Sequence, residues 1–164
     1  DRSSSSAATA IPDGAPYSYD VPEGFTTIPS GDATASVGSA TDKSTIALDD
    51  VNLIQVSVFE LQTEVTEANL TDARKELDAA VAAAAKQAGI TTVPTSTAVS
   101  VAGAPAFMYR IEGVPTPSGK RATNISYAVL KGFNQIQVLC QYTPNKQAEL
   151  KRGCDTVLAS LTLT

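Results

Sequence analysis

The sequence predicts an α+β fold in which an antiparallel β-sheet meander is flanked by helices. Two observations predict it. Strand-like runs separated by turn signals fill residues 97–142, and helical periodicity precedes and follows them at 69–88 and 145–160. The 164 residues suit one domain, which we expect at 16–164, behind a disordered Ser/Ala-rich tether at 1–15.

The first half of the predicted domain supplies short strands and one strong strand. Alternating apolar and polar residues at 17–21 predict an edge-like strand. The small polar residues 30–44 predict a loop, and 45–50 a short strand. The run 52–61 is apolar on both faces, so we expect a central strand that is covered on both sides.

The clearest helix is predicted over residues 69–88. Its apolar residues recur at steps of three and four: Leu70, Ala73, Leu77, Ala80, Val81, Ala84 and Ala88. Because this stripe is mostly alanine, the helix can lie very close to a sheet.

Four further strands are predicted at 97–101, 106–113, 124–132 and 134–142. The segment "VPTPSGK" predicts a long hairpin loop between the second and third strands, and "KGFN" a tight hairpin between the third and fourth. In the last strand one face is apolar and the other carries Gln135, Gln137 and Gln141. Such alternation predicts a meander with one solvated face.

The closing helix is predicted over residues 145–160. Its apolar stripe contains Leu150, Cys154, Val157, Leu158 and Leu161. Gly153 lies inside this helix and is expected to weaken it by up to about 1 kcal/mol relative to alanine.

The charge balance argues against nucleic-acid binding. The net charge is −5, from 12 Lys and Arg against 17 Asp and Glu, and the basic pairs lie far apart in sequence. A nucleic-acid binder needs a cationic stripe that displaces counterions from phosphates. No apolar stretch reaches the roughly 18 residues of a transmembrane helix.

Few residues are suited to catalysis. The chain has no histidine, which excludes every triad or dyad built on imidazole. Ser-Lys pairs occur only in "DKS" (42–44) and "SGK" (118–120), which we interpret as polar turns. Asp49 and Asp50 are consecutive, so strand geometry would point them to opposite faces. With no phosphate-binding loop either, we predict no catalytic, cofactor-binding or metal-binding residues.

The two cysteines are expected to form a disulfide. Cys140 lies on the apolar face of the last predicted strand and Cys154 on the apolar face of the closing helix, and a helix that folds back brings these faces together. The alternative is two buried free thiols in a cytosolic protein. A redox pair lacks its Cys-x-x-Cys motif, and a zinc site lacks histidine.

The order of these elements resembles the PsbP-like fold superfamily, specifically the LpqN-type lipoproteins of actinobacterial cell envelopes. The resemblance covers roughly residues 17–164 and is carried by "YDVPEGF" (19–25), "VAGAPAF" (101–107) and the ending "LASLTL" (158–163). It implies an α/β/α sandwich around an antiparallel sheet in an exported, often lipid-anchored protein. It also implies an adaptor or binding module without enzymatic activity, and it transfers no catalytic motif.

The sequence therefore predicts a non-catalytic exported binding or adaptor domain of a bacterial cell-envelope protein, expected to be monomeric, with a possible lipid anchor in its precursor. The face with Gln135, Gln137 and Gln141 is either a solvated sheet face or a groove for a glycan or protein partner. An alternative is a secreted inhibitor or substrate of an extracellular enzyme such as a protease, acting through loops 30–44 and 113–120. A third reading is an enzyme of unfamiliar type.

Overall fold

The computed structural model describes residues 15–28, 42–92 and 94–163. These residues form the strands β1 (Tyr17–Ser18), β2 (Thr26–Ile28), β3 (Asp42–Ala47), β4 (Leu53–Val65), β5 (Thr97–Val101), β6 (Ala104–Pro115), β7 (Arg121–Tyr142) and β8 (Thr162–Leu163), and the helices α1 (Leu70–Gln87) and α2 (Gln147–Ser160). A 3-10 turn at Pro144–Lys146 leads into α2. Apart from Ala15, the predicted tether lies outside the described residues.

Six strands form one antiparallel sheet in the order β2-β3-β4-β7-β6-β5. The short β1 and β8 pair separately, with Tyr17 opposite Leu163. The predicted α+β class, with an antiparallel sheet flanked by helices, is confirmed. As expected, β4 is an interior strand, between β3 and β7.

The two helices lie on opposite faces of the sheet. On one face α2 buries Leu150, Cys154 and Val157 in a core with apolar residues of β3, β4, β6 and β7 and with Tyr17 and Tyr19. On the other face α1 covers a smaller core. This core contains Phe107, Tyr109 and Leu130 with Leu61, Val65, Leu70, Ala73, Leu77 and Val81. The layering is the α/β/α sandwich that the resemblance implies.

The predicted tight hairpin at 131–134 is wrong, because β7 is a single strand of 22 residues. Its first part pairs with β6, from Arg121 opposite Pro115 to Val129 opposite Ala106. Its second part pairs with β4 from Gly132 to Gln141.

A bulge near Gly132 explains why the sequence pattern of a hairpin occurs inside a continuous strand. Between Glu60 and Val65, β4 advances five residues while β7 moves only from Asn134 to Gly132. Gly132 has φ +60°, a left-handed conformation that glycine adopts without a steric penalty. Because of this irregularity, odd-numbered residues of β7 before Gly132 and even-numbered residues after it point to the same face of the sheet. Val129 and Ile136 therefore enter the same core.

Two predicted loops also differ in the structure. Of loop 30–44, residues 30–41 lie outside the described residues, whereas 42–44 begin β3 and pair with β4. Loop 113–120 is shortened to a turn at 116–120, since residues 113–115 continue β6. Thr116 closes this turn: its Oγ1 donates to the Lys120 carbonyl at 2.6 Å, and its carbonyl accepts from Gly119 N at 2.9 Å.

Candidate functional site

Helix α1 is fixed to the sheet along one of its sides. The Tyr109 hydroxyl donates to Asp78 Oδ1 at 2.6 Å. Arg74 Nε donates to Ser96 Oγ at 2.8 Å, and the guanidinium lies 5.0 Å from the centre of the Phe107 ring. These anchors tie α1 to β6 and to the segment that precedes β5, and they leave its opposite side facing β4 and β7.

Along that opposite side runs a groove of about 640 Å³, here called the α1 groove. Its apolar lining consists of Leu61, Val65, Ala73, Leu77, Ala80 and Leu130. Its polar lining consists of Glu60, Gln62, Thr63, Asn69, Asp72, Glu76 and Gln135. An apolar surface with a few polar groups at its margin is the usual composition of a ligand-binding site.

The charged residues of the α1 groove are all acidic. Glu60, Asp72 and Glu76 are exposed, and no lysine or arginine lines the groove. Within the part of the chain that the structure describes, the ion pairs join Arg110 to Glu112 and Lys146 to Glu149, and none involves these three carboxylates. The groove therefore presents uncompensated negative charge beside an apolar surface.

A second, smaller cavity of about 370 Å³ adjoins the α1 groove, and we call it the notch. Val65 and Leu130 line both cavities. The notch is completed by the start of α1, the turn between β5 and β6, and Lys131 and Gly132 at the bulge. The next residue, Phe133, is 54% exposed and is the one exposed large apolar side chain among the described residues.

The structure brings only one of the three predicted glutamines into the groove. Gln135 lines it beside Leu130. Gln137 lies opposite Ser57, farther along β7. Gln141 uses its side-chain amide internally, donating to the Val51 carbonyl at 2.9 Å.

Sequence reasoning missed the acidic side of the groove. Asp72 and Glu76 are one helical turn apart, a spacing that is visible in the sequence and that places both on one flank of α1. Glu60 comes from β4, and only the tertiary structure places it in the same lining.

The first Ser-Lys pair, at 42–44, lies in a strand rather than in a turn. Ser44 is fully buried, and its Oγ lies 3.0 Å from the Tyr17 hydroxyl and 2.9 Å from the Tyr19 hydroxyl. Burial raises the pKa of Tyr19, and the hydrogen bond with Ser44 opposes this rise. Lys43 and Ser44 are consecutive in β3, so their side chains point to opposite faces of the sheet.

The second pair, at 118–120, lies in an exposed turn, as predicted. Ser118 Oγ is 3.0 Å from Thr116 Oγ1 on the surface. The hydrogen-bond partner of the Ser118 hydroxyl is therefore another hydroxyl and not a base.

Asp49 stabilises a turn between β3 and β4. Its Oδ1 accepts hydrogen bonds from Val51 N at 2.9 Å and Asn52 N at 2.7 Å. Burial acts to raise the pKa of Asp49, but the hydrogen bonds from Asn52 and Val51 and the charge of Lys146 outweigh it and hold the pKa below its usual value. Across residues 15–28, 42–92 and 94–163, no group of three or more Cys, Asp or Glu side chains is placed to hold a metal ion.

Cys140 of β7 and Cys154 of α2 form a disulfide with an S–S distance of 2.04 Å. The predicted pairing is confirmed, and the described residues contain no free cysteine. The bond fixes α2 to the face of the sheet opposite to α1 and its groove.

Comparison with solved structures supports the fold. The chain is similar to the solution structure of cyanobacterial PsbP (CyanoP) from Synechocystis sp. PCC 6803, with a TM-score of 0.60, 12% sequence identity, and coverage of 95% of this chain and 94% of that one. It is also similar to the crystal structure of LpqN, which is involved in cell envelope biogenesis of Mycobacterium tuberculosis. There the TM-score is 0.54 and the identity 12%, with coverage of 93% and 87%. The chain thus has the PsbP-like fold that its sequence motifs predict.

At the level of sequence, no family model matches the chain and no curated protein is similar to it. Within the described ranges, neither helix is long and apolar enough to cross a membrane.

Proposed function

We propose that this chain is a non-catalytic, exported binding or adaptor domain of a bacterial cell-envelope protein, and that it binds its ligand in the α1 groove. The observation that carries the proposal is a preformed groove with an apolar lining and a polar margin. Its lining contains no lysine, tyrosine, cysteine or serine, and it offers carboxylates, amides and the Thr63 hydroxyl as hydrogen-bonding groups for a ligand.

Two observations support placement in the cell envelope. Disulfides persist in oxidising compartments outside the cytosol, and Cys140–Cys154 is one. One of the structures that share the fold, LpqN, is described as involved in cell envelope biogenesis. In this proposal the N-terminal Ser/Ala-rich residues act as a spacer between the domain and a lipid anchor of the precursor. We propose a monomer and, because the chain is acidic, no nucleic-acid partner.

Site-specific photo-crosslinking in the native cells tests the binding function. A photoreactive amino acid replaces Gln62 or Thr63, which are exposed and line the groove, or Ser118 as a control in the exposed turn at 116–120. We expect adducts from the groove positions that excess unlabelled protein competes away, and none from Ser118. The same adducts from all three positions would refute the groove as the binding site.

The alternative, an inhibitor or substrate of an extracellular enzyme such as a protease, has one supporting feature. The turn at 116–120 is exposed and is held by internal hydrogen bonds, as expected of an inhibitory loop. Inhibition of a protease that is abolished when residues 116–120 are replaced would favour this alternative over the groove.

A further inference from the structure

We infer that the ligand of the α1 groove is a basic, extended segment of a partner protein whose lysine or arginine side chains alternate with apolar ones. This inference rests on the proposed binding function and specifies its ligand. It is carried by three properties of the groove: the charge of its margin, the spacing of its carboxylates and the length of its apolar lining.

The charge of the surface selects a cation. The α1 groove and the notch together are lined by Glu60, Glu67, Asp72 and Glu76 against the single cation Lys131. None of these four carboxylates has an ion-pair partner among the described residues. Such a margin attracts basic partners and repels acidic ones.

The spacing of the carboxylates fits an extended chain. Asp72 and Glu76 are separated by one helical turn, a rise of about 6 Å. Side chains on one face of an extended segment repeat about every 6.6 Å. Two basic side chains at positions i and i+2 of a bound segment can therefore each meet one carboxylate of α1.

The length of the groove limits the segment. The lining residues run from Asn69, which directly precedes α1, to Ala80 within it, and this corresponds to about 17 Å along the helix axis. That length accommodates about five extended residues. The remaining side chains of the segment, on its other face, would contact the apolar lining at Leu61, Leu77 and Leu130. A small polyamine carries the charge but would leave this apolar lining uncovered.

Binding of defined peptides tests the inference by fluorescence anisotropy. The probe is a short fluorescein-labelled peptide of alternating leucine and lysine. The comparison peptides replace its lysines by glutamate or its leucines by serine. We expect saturable binding of the leucine–lysine probe that weakens with added salt, and clearly weaker binding of both comparison peptides.

Protein variants locate the site. The triple variant E60Q/D72N/E76Q should lower the affinity for the leucine–lysine probe by about tenfold, as expected for the loss of three exposed ion pairs. The control D20N/E23Q/D155N makes the same change of net charge at exposed carboxylates outside the groove and should bind normally. Ala80→Trp, which fills the groove, should abolish binding, whereas Ala79→Trp on the exposed side of the same helix should not.

Several outcomes overturn the inference. The first is that the leucine–lysine probe does not bind. The second is that the leucine–glutamate peptide binds as tightly as the probe, and the third is that the two triple variants lower the affinity for the probe equally. If Gln62 and Thr63 cross-link a neutral glycan while the probe does not bind, the inference fails but the binding function remains. If neither experiment gives a signal at the groove, both fail.

Discussion

Gly153 is required by packing even though it has a poor helix propensity. A Cβ at this position would collide with Cε1 and Cζ of Phe25, whose ring packs against the core below α2. Glycine in a helix interior costs about 1 kcal/mol relative to alanine, but overpacking a core typically costs about 1–3 kcal/mol. We therefore expect Gly153→Ala to lower the free energy of unfolding by about 1 kcal/mol, measured by urea denaturation.

The matched test removes the obstructing ring. In a Phe25→Leu background, Gly153→Ala should become neutral or stabilising, because helix propensity then outweighs the remaining contact. If Gly153→Ala stabilises the wild-type chain, the close approach of Phe25 is refuted.

Asp49 should make stability depend on acid pH. Hydrogen bonds hold its folded pKa below the ordinary value of 3.8, so its contribution to stability is present above about pH 4 and is lost as the pH falls through the folded pKa. We expect the wild type to lose stability between about pH 5 and pH 2 more steeply than Asp49→Asn, which cannot titrate. An NMR-determined carboxyl pKa at or above 3.8 in the folded state would contradict this expectation.

At the scale of elements, the attachment of α1 depends on Tyr109. This side chain is almost fully buried and donates its hydroxyl proton to Asp78 of the helix. Burial, followed by the hydrogen bond and the charge of Asp78, raises the pKa of Tyr109, so the hydroxyl keeps its proton at neutral pH.

Tyr109→Phe should lower the free energy of unfolding by about 1.5–3 kcal/mol, the range for hydrogen bonds to charged groups. Amide hydrogen exchange should accelerate in α1 more than in α2. The control is Tyr127→Phe, because Tyr127 is a half-buried tyrosine whose hydroxyl makes no hydrogen bond with the described residues. Equal acceleration in both helices would contradict the anchoring role.

The sequence predicted β4, α1, β5, β6 and α2 correctly because each has strong local periodicity. It failed at residues 131–134, where Lys-Gly-Phe-Asn between two alternating runs has the local composition of a hairpin. The apolar pattern changes from odd-numbered to even-numbered residues between Val129 and Ile136, and either a hairpin or a bulge would explain this change. To choose between a hairpin and a bulge, one must know which strands pair with each part. Those partners, β6 for the first part of β7 and β4 for the second, are distant in sequence.

At the scale of the whole molecule, the candidate site was only partly predictable. The polar face of β7 identified Gln135, but the groove exists because α1 is anchored by Arg74 and Asp78 on one side and leaves β4 open on the other. The position of a helix across a sheet is set by long-range packing, which no local pattern contains. The convergence of Glu60 with Asp72 and Glu76 depends on the same packing.

The Cys140–Cys154 disulfide should stabilise the molecule without shaping the groove. The two cysteines are separated by 14 positions in the sequence. For a closed loop of this length, the chain-entropy model gives a stabilisation of about 3 kcal/mol. Reduction should therefore lower the free energy of unfolding by about this amount in urea. Because α2 and the bond lie on the opposite face of the sheet from α1, the reduced protein should still bind the leucine–lysine peptide. Its affinity should stay within about twofold of the oxidised protein's, a much smaller change than the roughly tenfold loss expected for E60Q/D72N/E76Q.

Identical urea midpoints for the oxidised and reduced forms would contradict the stabilising role. A large loss of affinity in a folded, reduced protein would show instead that the two faces are coupled through β7, the strand that contributes both Cys140 and the groove residues Leu130 and Gln135.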